Sequence, residues 1–189
     1  MKQYRKSPRA DFLSYQQGTF FITICTFNRI HYFGNILDSK MYFTELGEYV
    51  ENQLTHANSF CSYIDVLSHV VMPNHIHSII KVSMDSSLIE YIESLHQRHP
   101  NPYLRENPCF ERIAPALSRY INSFKGSVTK YANNIGIKRV WQSRYHDRLI
   151  RNKTELTKIS DYILNNVEKW QSDCFLMDRS KILKTDNNN

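Results

Sequence analysis

The sequence contains little cysteine and no long uninterrupted apolar stretch. Its 4 cysteines lie far apart, and no Cys-x-x-Cys pair occurs. This spacing argues against a zinc knuckle or a disulfide framework, so we expect a reduced cytosolic setting. No segment approaches the ~18 consecutive apolar residues of a membrane span, and no apolar signal-peptide core follows the basic N-terminus. We therefore expect a soluble, cytoplasmic protein with no membrane partner.

Acidic residues are outnumbered by basic ones, which bears on the class of partner. The chain has 18 Asp and Glu against 24 Lys and Arg, a formal net charge of +6. Such an excess of positive charge favours a polyanionic partner. The 12 tyrosines and 10 phenylalanines are interleaved with the basic residues. This composition adds support for single-stranded nucleic acid, whose bases stack on aromatic rings.

Hydrophobic periodicity predicts one α+β domain spanning residues 1–189. The predicted order is strand, helix, strand, strand, helix, strand, helix, over residues 19–27, 40–58, 62–72, 75–82, 114–134, 146–151 and 154–170. Thr154 is the predicted N-cap of the last helix. A β-α-β-β-α-β order is the ferredoxin-like (RRM-like) core with an antiparallel sheet, to which the last helix is added.

Three segments fall outside this predicted core. Residues 1–17 form a basic N-terminal arm, and residues 180–189 end in an asparagine run that we expect to be disordered. Prolines 100, 102 and 108 break any long element between the third strand and the second helix. We therefore expect residues 83–111 to be a flexible insertion within one sheet.

The most informative motif is VVMPNHIHSII, residues 70–80, in which His75 and His77 flank Ile76. Side chains alternate across a strand, so both imidazoles share one face, roughly 6.5–7 Å apart along it. Two imidazoles at that spacing can converge on one divalent metal ion. The alternative is that both are polar positions on a solvated face of the strand.

A second motif lies on the last predicted helix. Leu156, Ile159 and Ile163 continue an apolar stripe, and Tyr162 and Asn166 sit on its shoulder at i and i+4. A side chain at the edge of the apolar stripe can pack against the sheet and still reach solvent. The alternatives are an amphipathic tyrosine at the core edge and a polar residue near the helix C-terminus.

Together these segments resemble single-tyrosine HUH transposases, in particular the REP-associated tyrosine transposases. The likeness covers nearly the whole chain and includes GTFFITICTFNR (18–29), VVMPNHIHSII (70–80), VWQSRYHDRLIRN (140–152) and DYILNN (161–166). The resemblance implies that His75 and His77 bind a metal ion, that Tyr162 is the nucleophile and that Asn166 is a third metal ligand. Ser78 and Val167 depart from the residues usual in the family, but neither removes a catalytic atom.

The resemblance also implies an activity and its partners. Single-stranded DNA would be cleaved and rejoined at hairpin or repeat ends through a 5′-phosphotyrosine intermediate, with Mg²⁺ or Mn²⁺ as cofactor, by a nucleoid-associated bacterial protein. Relatives include monomers and helix-exchanging dimers, which leaves a homodimer open. The expected DNA contacts are Arg5, Lys6, Arg9, Trp141, Arg144, Tyr145 and Arg148. Their alternative is a solvated arm and a packed Trp-Tyr turn.

Two other functions remain open from the sequence. Rolling-circle initiators and relaxases also combine an HUH pair with tyrosine, but they usually carry further tyrosines, or a lysine close after the tyrosine, and attached domains. A domesticated, non-catalytic hairpin-binding module would stack bases on aromatic residues of its sheet. Covalent attachment to DNA distinguishes the enzyme from the binding module.

Overall fold

The computed structural model describes residues 17–84, 87, 90 and 116–172. The predicted tail and all of the basic arm except Gln17 lie outside the described residues. So does the predicted insertion, apart from Ser83, Met84, Ser87 and Glu90.

Six strands, four α-helices and two short 3₁₀ helices make up the described part of the chain. Their order is β1 (Gln17–Cys25), a 3₁₀ helix (Phe27–Arg29), β2 (Gly34–Leu37), β3 (Lys40–Phe43), α1 (Glu45–Thr55), α2 (Ala57–Phe60), β4 (Ile64–Met72), β5 (His75–Ser83), α3 (Ala116–Asn134), β6 (His146–Leu149), α4 (Lys153–Leu164) and a 3₁₀ helix (Trp170–Ser172).

Four strands form one antiparallel sheet in the order β4-β5-β1-β6. With β1, β4, β5 and β6 as the four core strands, this is the arrangement of a ferredoxin-like sheet. The predicted α+β class is confirmed. Strands β2 and β3 pair separately as a two-stranded ribbon.

The two faces of the sheet are covered differently. Helices α1 and α3 contribute to a large apolar cluster with Phe20, Ile22 and Ile76. On the opposite face a much smaller cluster joins Ile79 to Ile163 of α4. Helix α4 thus covers only part of this face. Within the described ranges, no helix is both long and apolar enough to cross a membrane.

The predicted helix over residues 40–58 is wrong at its N-terminal end. Lys40–Phe43 is strand β3, and it joins β2 through Asp38 and Ser39, which have φ of 48° and 56°. Two successive left-handed residues are typical of the tight hairpin turn that matches strand twist. Helix α1 starts only after Thr44, whose hydroxyl accepts a hydrogen bond from the Gly47 amide.

The last helix is shorter than predicted at its C-terminal end, and its cap is a different residue. Asn152, and not Thr154, is the N-cap, because its side-chain oxygen accepts from the Glu155 amide at 2.9 Å. The helix ends at Leu164, so Asn166 lies in the turn that follows it. The predicted i, i+4 relation of Tyr162 and Asn166 within one helix is therefore not present.

Candidate active site

His75 and His77 lie on the face of β5 that α4 partly covers. Their neighbours across the ladder are Cys25 and Thr23 of β1, respectively. Both imidazoles are buried, with 0% and 2% of their surface exposed, and their ring centroids are 4.6 Å apart. The structure therefore brings the two rings together on one face, as the strand period requires, and away from bulk solvent.

Each imidazole is held by a hydrogen bond at Nδ1. His75 Nδ1 lies 2.9 Å from Asn74 Oδ1, and His77 Nδ1 lies 2.9 Å from Thr23 Oγ1. An amide oxygen only accepts, so His75 donates from Nδ1 and presents the lone pair of Nε2. Thr23 favours the same tautomer of His77 when its hydroxyl accepts. Partners at Nδ1 of this kind fix the orientation of metal-ligating histidines.

Burial keeps both imidazoles neutral. Desolvation, followed by the nearby charges of His77, Arg29 and His31, lowers the pKa of His75 to about 2. Desolvation, followed by the charge of Arg29, lowers the pKa of His77 to about 4. A neutral imidazole is the form that ligates a metal.

The hydroxyl of Tyr162 reaches the histidine pair from helix α4. Its oxygen is 3.1 Å from His77 Nε2, and its ring packs edge-on against Phe21 with centroids 6.1 Å apart. Phe21 in turn stacks on His77 at 5.2 Å. Tyr162 remains 41% exposed. The phenol is thus fixed beside the imidazole and is still accessible to a large substrate, within a single chain.

The turn after α4 carries Asn166 between two residues that contact the histidines. Tyr162 precedes it, and Trp170 follows and stacks on His75 with centroids 6.1 Å apart. Asn166 is 2% exposed, and its Oδ1 is buried with no hydrogen-bond partner among the described residues. A buried amide oxygen without a partner is costly in a folded protein unless a ligand satisfies it.

The charged side chain of Arg29 near the histidines was not predicted from the sequence. Arg29 lies in a left-handed turn, with φ of 57°, and its positive charge lowers the pKa of both imidazoles. Asn74 connects this turn to the site, because its Nδ2 donates to the Arg29 carbonyl oxygen at 3.2 Å. A guanidinium there can bind the phosphate of a nucleic acid.

The predicted DNA contacts within the described residues fall into two kinds. Arg144 is exposed, and Arg148, opposite Phe21 in the ladder, is exposed on the face that carries the histidines. Trp141 instead packs against Phe33, and its indole nitrogen donates to the Lys125 carbonyl at 3.1 Å. The Tyr145 hydroxyl is 3.0 Å from the Ser118 hydroxyl. Arg5, Lys6 and Arg9 lie outside the described residues.

Sequence reasoning missed Thr23, Asn74, Arg29 and Trp170 as parts of this site. Asn74 could have been found, since it directly precedes His75 in the sequence. Thr23 and Arg29 come from a distant strand and turn, and no local pattern identifies them. Across the described part of the chain, no three His, Cys, Asp or Glu side chains form a metal-binding group. Within these ranges, a cation at the histidines would take its further donors from amide, water or substrate oxygens.

A solved structure shares the fold of this chain, and a relative in sequence identifies its family. No family model matches the chain. The solved structure of a REP-associated tyrosine transposase bound to a REP hairpin superposes with a TM-score of 0.52, covering 89% of this chain and 74% of that one at 19% identity. At this identity the likeness establishes a shared fold only.

A relative in sequence comes from Haemophilus influenzae. It is an uncharacterised protein, 30% identical over 179 residues, an alignment that covers 93% of this chain and 94% of the relative. Identity at this level over nearly the full length of both proteins establishes common descent. The chain belongs to the same protein family as this Haemophilus influenzae protein.

Proposed function

We propose that this protein cleaves and rejoins single-stranded DNA by transesterification, with Tyr162 as nucleophile. The observation that carries the proposal is the 3.1 Å approach of the Tyr162 hydroxyl to Nε2 of His77, beside a second buried imidazole. The fold shared with a hairpin-bound REP-associated tyrosine transposase supports DNA as substrate. The excess of basic residues, +6 in net charge, supports it independently.

His75, His77 and Asn166 would hold a divalent cation. Both imidazoles are neutral at pH 7, and Asn166 Oδ1 has no hydrogen-bond partner within the described ranges, so these donors fit an ion. The amide oxygen, with water or phosphate oxygens, suits Mn²⁺ or Mg²⁺, whereas the imidazoles alone would also suit Zn²⁺ or Ni²⁺. A bound cation would supply charge stabilisation to the non-bridging phosphate oxygens.

In the reaction the bond from the Tyr162 oxygen to phosphorus forms, and the bond from phosphorus to the 3′ oxygen breaks. The phenol proton passes to solvent, which reaches Tyr162, and the leaving 3′ oxygen takes up a proton. The covalent link conserves the phosphodiester for rejoining when a 3′-hydroxyl attacks it in reverse. The exposed Arg144 would contact phosphates of the strand, as would the exposed Arg148, which pairs with Glu155 of α4 in the structure.

The hydrogen bond between the Tyr162 hydroxyl and His77 Nε2 competes with cation binding at the same nitrogen. One lone pair on His77 Nε2 cannot both accept from the Tyr162 hydroxyl and ligate a cation. The hydroxyl would therefore have to give up its hydrogen bond to Nε2 for His77 to hold a cation there. Tyr162→Phe removes the competing hydroxyl, so we expect this variant to bind Mn²⁺ at least as tightly as the native protein.

The test is covalent capture of DNA. Hairpin oligonucleotides copied from inverted repeats beside the gene are incubated with the protein and Mn²⁺ or Mg²⁺, and adducts are resolved on a denaturing gel. We expect an adduct with the native protein and with the control Tyr42→Phe, which alters an exposed tyrosine of β3. Tyr162→Phe should form none. Hairpin binding without any adduct would instead support the non-catalytic module.

A further inference from the structure

A cleft lined by both polar and apolar side chains lies on the opposite side of the sheet from the histidine pair. It has a volume of about 660 Å³ and lies between α1, α2, the segment 61–63 before β4, and α3. Pockets that bind small molecules typically have volumes of roughly 300–1,000 Å³. The cleft shares no residue with the candidate active site, so the function proposed above does not account for it.

The cleft contains hydrogen-bond donors that lack partners. Tyr120 is only 7% exposed, and its hydroxyl is buried without a hydrogen-bond partner among the described residues. Nε of Arg119, the preceding residue of α3, is also buried without a hydrogen-bond partner in the described part of the chain. Buried polar groups in native proteins nearly always have a partner, so two adjacent exceptions at one cleft indicate a ligand that supplies acceptors.

The charge of the cleft selects the class of ligand. Among the described residues that line it, Arg119 is the one charged side chain, and no carboxylate is present. Its guanidinium carbon lies 5.8 Å from the centroid of the Tyr63 ring, and its partners among the described residues are the neutral Tyr63 hydroxyl and the weakly accepting sulfur of Met84, at 3.4 Å. A guanidinium without an anionic partner is well suited to a phosphate or carboxylate.

The phenols of the cleft act as donors at neutral pH. Burial raises the pKa of Tyr63 to about 12, and burial also raises the pKa of Tyr120. Both groups therefore stay protonated. Beside them, Phe60 is 67% exposed at the rim, where an aromatic or apolar part of a ligand can pack against it.

We infer that the cleft between α1 and α3 binds a small phosphate ester of nucleotide size, with Arg119 and the Tyr120 hydroxyl holding the phosphate and the rings of Tyr63 and Phe60 contacting the base. Donors on several side chains suit the tetrahedral oxyanion. The phosphate could belong to a free nucleotide or to DNA. A recessed cleft of this volume favours the free nucleotide.

The experiment is calorimetric titration of the full-length protein with deoxyadenosine monophosphate. EDTA is present so that no cation at the histidines can hold the phosphate. Inorganic phosphate, deoxyadenosine and a 12-nucleotide thymidine strand are titrated in parallel. We expect saturable binding of the monophosphate, weaker binding of inorganic phosphate and none of deoxyadenosine. Binding of the DNA strand alone, or of no probe at all, would overturn the inference.

Variants locate the binding. Arg119→Gln keeps most of the side-chain stem and removes the charge, which should raise the dissociation constant about tenfold or more. The control Lys130→Gln removes an exposed charge from the same helix and should leave it unchanged. Equal affinity in both variants would show that the nucleotide binds elsewhere and would refute the site.

Two further variants test the same cleft in case Arg119→Gln does not fold. Tyr120→Phe deletes only a buried hydroxyl that has no hydrogen-bond partner in the described ranges, so it should weaken nucleotide binding several-fold without lowering the melting temperature. Ser123→Glu places a carboxylate at an exposed position of the cleft and should abolish binding in a folded protein. Undiminished binding by either folded variant contradicts the inference.

Discussion

The two faces of strand β5 are equally buried but carry different chemistry. Ile76 and Ile80 lie beneath α1 and α3 in the large apolar cluster with no exposed surface. His75 and His77 point the other way and are just as inaccessible, yet they are polar and hydrogen-bonded to Asn74 and Thr23. Burial alone therefore does not separate residues that stabilise the fold from residues of the site. Polarity and hydrogen-bond partners do.

The largest effect should come from the apolar face. Ile76→Ala leaves a cavity in the main core, so we expect the free energy of unfolding in urea to fall by about 2–5 kcal/mol. The Mn²⁺ affinity of the folded fraction should be unchanged. A loss of affinity with little loss of stability would contradict the division between the two faces.

The pH dependence of stability tests the polar face. In the folded protein the pKa values of His75 and His77 are about 2 and 4, below the usual histidine value of 6.5. Between pH 6.5 and 4 the unfolded chain binds more protons than the folded one, so stability falls as the pH drops. With EDTA present, we expect the free energy of unfolding to fall by roughly 2 kcal/mol per imidazole between pH 7 and pH 5.

A matched pair of variants assigns this pH dependence to the site. His77→Gln should reduce the slope, whereas His56→Gln, at an exposed position after α1, should not. Arg29 lies close enough to lower both pKa values, so Arg29→Gln should reduce the slope to a smaller extent. Equal slopes in all four proteins would mean that the imidazoles are not held neutral by the fold.

Thr23→Val tests the partner at Nδ1 of His77. Loss of an outer hydrogen-bond partner typically weakens metal binding by about 10–100-fold, and we expect the lower end of that range. Thr19→Val, on the same strand, is the control. The two variants should have similar melting temperatures but different Mn²⁺ affinities, measured by titration. Identical affinities would remove Thr23 from the site.

The smallest effect is expected at the start of α4, the helix that positions Tyr162. Asn152→Ala removes the N-cap and should destabilise the protein by about 1 kcal/mol. Thr154→Ala, at the position predicted as the cap from sequence, should change stability by much less. Thermal unfolding of the pair distinguishes them, and the reverse ranking would contradict the observed cap.

The predictable parts of the site are those fixed by local periodicity. A strand alternates faces, so residues 75 and 77 had to share one, and the apolar stripe of the last helix had to leave Tyr162 on its shoulder. Both geometries are present, with the phenol and imidazole 3.1 Å apart. The position of Asn166 was harder to predict, since the helix ends at Leu164 and a turn carries the asparagine.

The parts that could not be predicted depend on contacts distant in sequence. Met41 and Phe43 have spacings compatible with the following helix. The Asp38-Ser39 turn instead pairs this segment with β2, and the Thr44 cap separates β3 from α1. Thr23 reaches His77 because the sheet pairs β1 with β5, 54 residues apart. Periodicity within one element contains no information on such pairings.

Mass spectrometry of the DNA adduct tests the central claim most directly. Trypsin releases residues 159–169, in which Tyr162 is the single tyrosine. After cleavage of a hairpin in Mn²⁺ and nuclease trimming, we expect this peptide to carry a nucleotide on the Tyr162 oxygen through its 5′ phosphate. A nucleotide attached to any other residue, or an adduct that persists in Tyr162→Phe, would contradict the account.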